Sequence, residues 1–355
     1  MSDPSFLMMT CQIGAEPVMK REILDHHPEF RFSYSRPGFV TWKVPESFFE
    51  ARSPEIESVL MRYCGISIGK VRGNTLSERV QAFWDLVGDR RFDRLHVFSR
   101  DRFVPGEHDF EPGLTHDDAL VHQHLMKNAP NFLQKTVCQY PFLEAKKGNR
   151  ILDCLQVAQD EWWIGYHKVS DWRSSLPGGL LPIRMPTDAV SRAFLKFEEG
   201  LRWSGFAIEA GSQCLDIGSA PGGGSQALLA RGAKVIGVDP AEMAPFIINQ
   251  PNFTHLRGRI NQLKRNYFLK SRWIITDINV SPNYTLDVLE DLITHPKMRI
   301  RGMLFTLKLL DWKFFADISD YTKRIRTWGF QNIQVKQLQF NRQEVMVSCQ
   351  KTQYK

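Results

Sequence analysis

The pattern of apolar and polar positions changes character near the middle of the 355-residue chain. In the first half, short alternating runs are mixed with amphipathic helical stretches, an order typical of an α+β module. Strands are predicted at 7–11, 38–44, 66–71, 96–99, 152–157 and 162–169, and helices at 16–24, 76–87 and 116–125.

The second half alternates strands and helices with short connections. A helix is predicted at 188–201 with Thr187 as its cap, followed by strands at 213–217, 234–238, 253–257, 273–278, 302–309, 333–339 and 344–349, with helices between them. Such alternation predicts an α/β fold with a doubly wound, mostly parallel sheet. The last two strands are separated by only a few residues, so we expect an antiparallel hairpin at the sheet edge.

A segment rich in proline and glycine separates the two halves. Residues 175–186 contain three prolines and two glycines, which stop both helices and central strands. At roughly 150 residues per domain, a chain of this length is expected to hold two or three domains. We therefore predict a linker at 176–186.

Composition limits the class of protein. The chain is 43% hydrophobic, and no apolar run approaches the roughly 18 residues that a bilayer crossing needs. The first residues lack the pattern of a secretory signal, so we expect a cytoplasmic location and no membrane partner. The six cysteines are scattered, without a C-x-x-C pair or matching histidine spacing, and this predicts neither a metal site nor a disulfide framework.

The net charge of +7 is unevenly distributed. Residues 1–186 hold 23 Lys and Arg against 24 Asp and Glu, whereas residues 187–355 hold 23 against 15. A basic half favours a polyanionic partner such as RNA or DNA, although basic solvated faces are common without one. The stretch 255–273 is also basic and contains Tyr267, Phe268 and Trp273. This mixture is typical of a contact with RNA and equally of a helix with a basic solvated face.

A glycine-rich turn is the strongest motif. The run Leu215-Asp-Ile-Gly-Ser-Ala-Pro-Gly-Gly223 places small residues after a strand, where doubly wound sheets bind cofactors. It is neither G-x-G-x-x-G nor a P-loop, which disfavours dinucleotides and nucleoside triphosphates. Asp239 ends the next strand, where an acid can accept hydrogen bonds from ribose hydroxyls. An ordinary glycine-rich turn remains the alternative.

This turn closely resembles motif I of the FtsJ-type S-adenosylmethionine-dependent methyltransferases, which modify ribose 2′-hydroxyls of RNA. The resemblance implies a Rossmann-like class I methyltransferase domain with S-adenosylmethionine as cofactor. It assigns to cofactor binding Ser191, Asp216, Gly218, Ala220, Pro221, Gly222, Gly223, Asp239 and Asp277. The family often carries an acid after the third strand to hold adenine, but this chain has Arg257-Gly-Arg-Ile260 there, so no residue is assigned to the adenine.

The family also shares a Lys-Asp-Lys-Glu tetrad, which the resemblance places at Lys196, Asp277, Lys308 and Glu344. A lysine with the reference pKa near 10.4 is only about 0.04% neutral at pH 7, so a lysine base must be activated. Our hypothesis makes Lys308 the base, Lys196 the neighbouring cation, and the two carboxylates the groups that fix both ammoniums. Taken alone, Lys196 could be a solvated helix lysine and Glu344 a hairpin residue.

Other methyl acceptors fit the sequence less well. Amine methyltransferases carry Asn/Asp-Pro-Pro-Tyr/Phe after the fourth strand, where this chain has Asp277-Ile-Asn-Val-Ser-Pro282. Cytosine C5 enzymes need a cysteine nucleophile, and neither 273–282 nor 303–310 contains one.

The order of segments along the whole chain is similar to that of bacterial FtsJ-type enzymes with an N-terminal RNA-binding module. The resemblance implies a ferredoxin-like subdomain at 1–60, a THUMP-like domain at 61–175, the linker at 176–186 and the methyltransferase domain at 187–355. It implies RNA as partner, with a cytidine of 23S ribosomal RNA as target, and no DNA. The alternatives are transfer RNA or another RNA as substrate, or a non-catalytic S-adenosylmethionine-binding protein that binds RNA.

Overall fold

The computed structural model describes residues 6–46, 48, 56–130, 133, 144–170 and 174–351. The chain divides into two compact units, Met1–Pro182 and Ile183–Lys355. Each unit is built around a seven-stranded sheet. The division falls inside the segment where we expect the linker.

The first unit contains a mostly antiparallel sheet with the order β2-β3-β1-β4-β7-β6-β5, in which only β5 and β6 run parallel. Its strands are β1 Phe6–Thr10, β2 Arg31–Arg36, β3 Phe39–Lys43, β4 Tyr63–Arg72, β5 Arg94–Ser99, β6 Arg150–Ala158 and β7 Glu161–Lys168. Its helices are α1 Glu16–His26, α2 Leu76–Val87 and α3 His116–Lys127. The pattern missed β2, because this edge strand is largely exposed and lacks an apolar face.

One sheet crosses the subdivision expected at residue 60. Strand β1 pairs with β4, so that Leu7 lies opposite Ile66. Residues 1–60 and 61–175 therefore contribute strands to the same sheet.

The helices α2 and α3 cover an apolar cluster that includes Phe83, Leu125 and Trp162. Helix α2 begins with a capping box, in which the Thr75 hydroxyl accepts from the Glu78 amide and the Glu78 carboxylate accepts from the Thr75 amide. This arrangement satisfies two amides that the first helical turn cannot pair.

A polar cluster lies inside the first unit. The two ring nitrogens of His167 lie 2.6 Å from Asp153 Oδ2 and 2.8 Å from the Ser174 carbonyl oxygen. The potential ligand atoms of His96, Asp153 and His167 lie within 4.8 Å of one another, and all three residues are buried. Because they come from three strands, no local spacing in the sequence indicates the cluster.

The second unit has the sheet order β10-β9-β8-β11-β12-β14-β13. The first five strands in this order are parallel, while β14 runs antiparallel to both β12 and β13. The strands are β8 Gln213–Ile217, β9 Lys234–Asp239, β10 Phe253–Arg257, β11 Trp273–Thr276, β12 Gly302–Lys308, β13 Asn332–Lys336 and β14 Glu344–Gln350. The helices are α4 Ala193–Ser204, α5 Gly223–Leu229, α6 Pro245–Ile248, α7 Pro282–Ile293 and α8 Ile318–Thr327. The predicted doubly wound sheet with an antiparallel edge hairpin is confirmed.

Two helix predictions in this unit are wrong. The helix expected from residue 188 begins at Ala193, and Thr187 does not cap it. The Gln226 side chain donates to the Asp188 carbonyl and accepts from the Val190 amide, so this backbone is satisfied without a helix. Between β10 and β11, the expected helix is replaced by the 3₁₀ turns Ile260–Gln262 and Arg265–Tyr267.

The third difference is the end of β13, which stops at Lys336 rather than at residue 339.

None of the helices in the described part of the chain has the length and apolarity to cross a bilayer.

Candidate functional site

Four charged side chains meet at the carboxyl edge of the central strands in the second unit. Asp277 directly follows β11, and Lys308 is the last residue of β12. Glu344 begins β14 directly opposite Lys308 in the antiparallel register, while Lys196 comes from helix α4. The carboxyl ends of parallel strands share one sheet edge, which explains why residues so distant in sequence converge.

The four groups form a closed ring of alternating charge, which we call the quartet. Lys196 Nζ lies 2.9 Å from Asp277 Oδ2 and 2.7 Å from Glu344 Oε1. Lys308 Nζ lies 2.5 Å from Asp277 Oδ1 and also contacts Glu344 Oε2. The side chains are between 3% and 12% exposed, so the ring is nearly closed to solvent.

Electrostatics hold two members of the quartet, Lys196 and Asp277, in their charged forms. Burial lowers the pKa of Lys196, but the carboxylates of Glu344 and Asp277 outweigh it, and the net pKa is raised. Burial raises the pKa of Asp277, but Lys196 and Lys308 outweigh it and hold that pKa well below its usual range. At neutral pH, Lys196 therefore carries its proton and Asp277 is a carboxylate.

Three further polar residues hold the quartet in place. The Thr306 hydroxyl donates to Asp277 Oδ1 at 2.6 Å, and Asn341 Nδ2 donates to Glu344 Oε1 at 3.2 Å. The fully buried Glu199 carboxylate accepts from the Gln339 and Phe340 amides, 3.0 and 3.2 Å away, just before β14. Because the Gln339 and Phe340 amides bond to Glu199 and not to a neighbouring strand, β13 ends before them, at Lys336.

Sequence reasoning missed these supporting residues. Thr306 lies two positions before Lys308, hence on the same face of β12, and this spacing was the one available signal. Glu199 offered none, because its partners are backbone amides about 140 residues away.

The glycine-rich turn needs its glycines for space and for backbone conformation. Gly218 and Gly222 have φ of +73° and +126°, a region that favours glycine. A Cβ at Gly218 would overlap Ile278, and one at Gly223 would overlap Ser191 Oγ. The turn is therefore a cradle that larger residues would fill.

Two acids border this cradle. Asp239 ends β9, and its carboxylate accepts from the Ala220 amide at 3.0 Å and from the Ala241 amide at 2.8 Å. Asp216 is buried and accepts from the Ser225 hydroxyl at 2.7 Å. Burial raises the pKa of Asp216 to about 7 in spite of that hydrogen bond.

A cavity of about 340 Å³ opens beside the ends of β9 and β10. It is lined by residues that follow Asp239, among them Met243 and Ile248, and by His255 and Arg257 of β10. His255 Nε2 lies 3.0 Å from the Asp239 carbonyl oxygen, so the cavity adjoins the acid that borders the cradle. The acid in the cavity lining is Glu242, which follows β9 and whose carboxylate lies 3.4 Å from Arg257 Nη1.

Comparison with known proteins finds similarity that includes the second unit. Residues 189–337 match the FtsJ-like methyltransferase family. Ribosomal RNA large subunit methyltransferase M of Laribacter hongkongensis is 32% identical over 50% of this chain and 52% of its own length. The enzyme of the same name from Pseudoalteromonas translucida is 27% identical over 58% of this chain and 59% of its own. The chain thus spans about half the length of the curated relatives it matches.

The residues of the cradle fit S-adenosylmethionine, the cofactor of such a domain. Ser191 Oγ is buried and has no hydrogen-bond partner among the described residues, and it lies directly beside Gly223. A buried hydroxyl without a partner is costly unless a ligand satisfies it. Ser191, the glycine turn and Asp239 would hold the cofactor, and Asp277 lies where the turn meets the quartet.

Proposed function

We propose, from the FtsJ-like methyltransferase domain that residues 189–337 form, that this protein methylates a ribose 2′-hydroxyl of RNA. The observation that carries the proposal is the quartet of Lys196, Asp277, Lys308 and Glu344. A quartet of this kind suits an acceptor that must lose a proton as it reacts, which a ribose hydroxyl must do.

The quartet divides into a base and its supports. S-adenosylmethionine supplies an electrophilic methyl group carried on a sulfonium centre. Lys308 takes the proton from the 2′-oxygen, while Lys196, whose raised pKa keeps it charged, remains a fixed cation beside it. Asp277 and Glu344 each contact both lysines and so fix the position of the nitrogen that accepts the proton.

Lys308 accepts the hydroxyl proton only after it has released one of its own. Its side chain keeps 12% exposure, which gives that proton a route to water. Asp277 and Glu344 hold Lys308 Nζ in one position, so a bound hydroxyl meets a base that is already placed.

The basic residues between β10 and β11 support RNA as the substrate. Arg259, Lys264 and Lys270 are exposed, as phosphate contacts require. Of the three aromatic residues in this stretch, Phe268 and Trp273 are buried, while Tyr267 is 58% exposed and free to stack on a base.

The relatives named ribosomal RNA large subunit methyltransferase M favour ribosomal RNA as target. We extend the proposal to a cytidine of 23S ribosomal RNA, to a cytoplasmic location, and to residues 1–175 as the RNA-binding module with ferredoxin-like (1–60) and THUMP-like (61–175) parts.

The test is methyl transfer from labelled S-adenosylmethionine to ribosomal and transfer RNA from a strain that lacks the gene, followed by nucleoside analysis. The wild type is expected to form a 2′-O-methylated nucleoside in 23S ribosomal RNA. Lys308→Met is expected to lower the rate by about 10²–10⁴-fold, the usual contribution of a general base.

The matched control is Lys234→Met. Lys234 is an exposed strand lysine at the opposite end of β9, and its replacement should leave the rate unchanged. A methyl group found on a base, or a folded Lys308→Met protein with the wild-type rate, would contradict the proposal. If only transfer RNA is labelled, transfer RNA replaces ribosomal RNA as the proposed substrate, and the proposed methylation of a ribose 2′-hydroxyl stands.

A further inference from the structure

Two aromatic rings stack at the rim of the sheet in the first unit. Tyr34 of β2 and Trp163 of β7 have ring centroids 5.8 Å apart and planes inclined by 20°. Their strands are not neighbours in the sheet, so the sheet must curl to bring them together. Trp163 also packs on the buried ring of Phe39, 5.2 Å between centroids, which anchors the pair.

Cations gather around this ring pair. Lys70 Nζ lies 5.5 Å from the Trp163 centroid and 5.9 Å from that of Tyr34. Arg36 Cζ lies 6.0 Å from the Tyr34 centroid, and Arg36 Nε donates to the Tyr34 hydroxyl. Arg100 Nη1 donates to the Pro37 carbonyl, directly after Arg36, at 3.0 Å, and Arg100 Nε donates to the Val157 carbonyl at 2.6 Å. Burial lowers the pKa of Arg100, and the charge of Arg36 lowers it further. We call these five residues the Tyr34–Trp163 surface.

The cations of this surface form no direct ion pairs, although the Glu161 and Asp160 carboxylates act on Arg36 from a distance. Among the described residues, neither Arg36, Lys70 nor Arg100 forms an ion pair with a carboxylate, and the first two are exposed. The buried acid Glu161 is paired with Arg72, and its carboxylate also accepts from the Trp163 indole nitrogen at 3.1 Å. Cations beside two half-buried aromatic rings match the chemistry of single-stranded nucleic acid, in which bases stack on rings and phosphates contact cations.

This local concentration of charge also accounts for an apparent conflict in the sequence. Residues 1–186 are almost neutral overall, which is unusual for an RNA-binding module. A neutral unit still binds a polyanion where its cations are gathered on one surface.

We propose that the Tyr34–Trp163 surface binds unpaired nucleotides of RNA, with bases on the two rings and phosphates at Arg36, Lys70 and Arg100. The inference rests on the proposed function in taking RNA as the substrate. It adds a second RNA contact, in the first unit, that methyl transfer itself does not require.

The experiment measures fluorescence anisotropy of a short labelled oligouridylate with the full chain at several salt concentrations. Trp163→Leu is expected to weaken binding by about 5- to 100-fold, the usual range for one stacked base. Lys70→Gln removes an exposed charge without disturbing the core. It should weaken binding and lower the slope of log affinity against log salt by about 0.7.

Two controls match these variants. Phe32 lies on the same strand as Tyr34 and is 50% exposed. Because of a register irregularity between them, Phe32 pairs with Trp42 whereas Tyr34 pairs with Thr41, so the two side chains lie on opposite faces of the sheet. Lys127 is exposed at the end of α3. Phe32→Leu and Lys127→Gln should both bind like the wild type.

Unchanged affinity in both Trp163→Leu and Lys70→Gln overturns the proposal, as does equal weakening by the controls. The methylation assay distinguishes a failure of this proposal from a failure of the proposed function. If the oligonucleotide binds through this surface but no ribose is methylated, the surface stands and the proposed reaction fails. If ribose is methylated and Lys70→Gln changes neither KM nor oligonucleotide affinity, only the surface fails.

Discussion

Replacement of Asp216 by asparagine tests the electrostatics of the cofactor cradle. Asp216 is buried, and burial raises the pKa of its carboxyl to about 7. Between about pH 4 and pH 7, the folded protein therefore binds a proton at this site that the unfolded chain has already released. The free energy of unfolding contributed by Asp216 is greatest at low pH and falls as the pH rises to 7.

The magnitude follows from the shift. The pKa moves from 3.8 to about 7, and each unit corresponds to about 1.36 kcal/mol, so the ionised form destabilises the fold by about 4 kcal/mol above pH 7. Asparagine keeps an oxygen that can accept from the Ser225 hydroxyl and never ionises. Relative to the wild type, Asp216→Asn should gain about 4 kcal/mol of stability between pH 4 and pH 8.

The assay is urea unfolding at a series of pH values, followed by hydrogen exchange of the β8 amides, because the two units need not unfold together. Glu209→Gln, at an exposed acid of the same unit, is the control and should track the wild type at every pH. A difference between Asp216→Asn and wild type that stays constant with pH would refute the reasoning.

Three further predictions concern other parts of the fold. Gly223→Ala places a methyl group against Ser191 Oγ, so S-adenosylmethionine affinity measured by calorimetry should fall sharply; wild-type affinity would mean that the cradle does not hold the cofactor. His167→Ala removes the ring nitrogen 2.6 Å from the buried Asp153 carboxyl and should lower the free energy of unfolding of the first unit by about 1–3 kcal/mol; urea curves that overlay would contradict this. Thr75→Ala removes the α2 cap and should cost about 1 kcal/mol in the same assay, whereas Thr75→Ser, as the control, should cost little.

The sequence predicted the second unit better than the first because its elements are strongly patterned. Strands β9 and β12 are largely apolar runs that end in a charged residue at the sheet edge, so Asp239 and Lys308 could be assigned to that edge directly. The convergence of Lys196 with Glu344 came from the family resemblance, since one lies on a helix and the other begins a strand far along the chain.

What the sequence could not show were contacts in which a side chain replaces a regular backbone bond. Gln226 binds the backbone before α4, and this moved the predicted helix start by five residues. Glu199 does the same for the chain after β13. Such partners are chosen by the tertiary fold, and local hydrophobic periodicity carries no information about them.

The Glu199 contact affects the order in which cofactor binding and proton abstraction are established during folding. The glycine turn and the acid that borders it lie within a short stretch of chain, whereas the segment that carries Glu344 is held by a carboxylate some 140 residues upstream. Long-range pairings form late, because the entropy of closing a large loop must be lost before any contact compensates for it. During refolding from denaturant, the chain should recover affinity for S-adenosylmethionine first and the ability to deprotonate an acceptor afterwards.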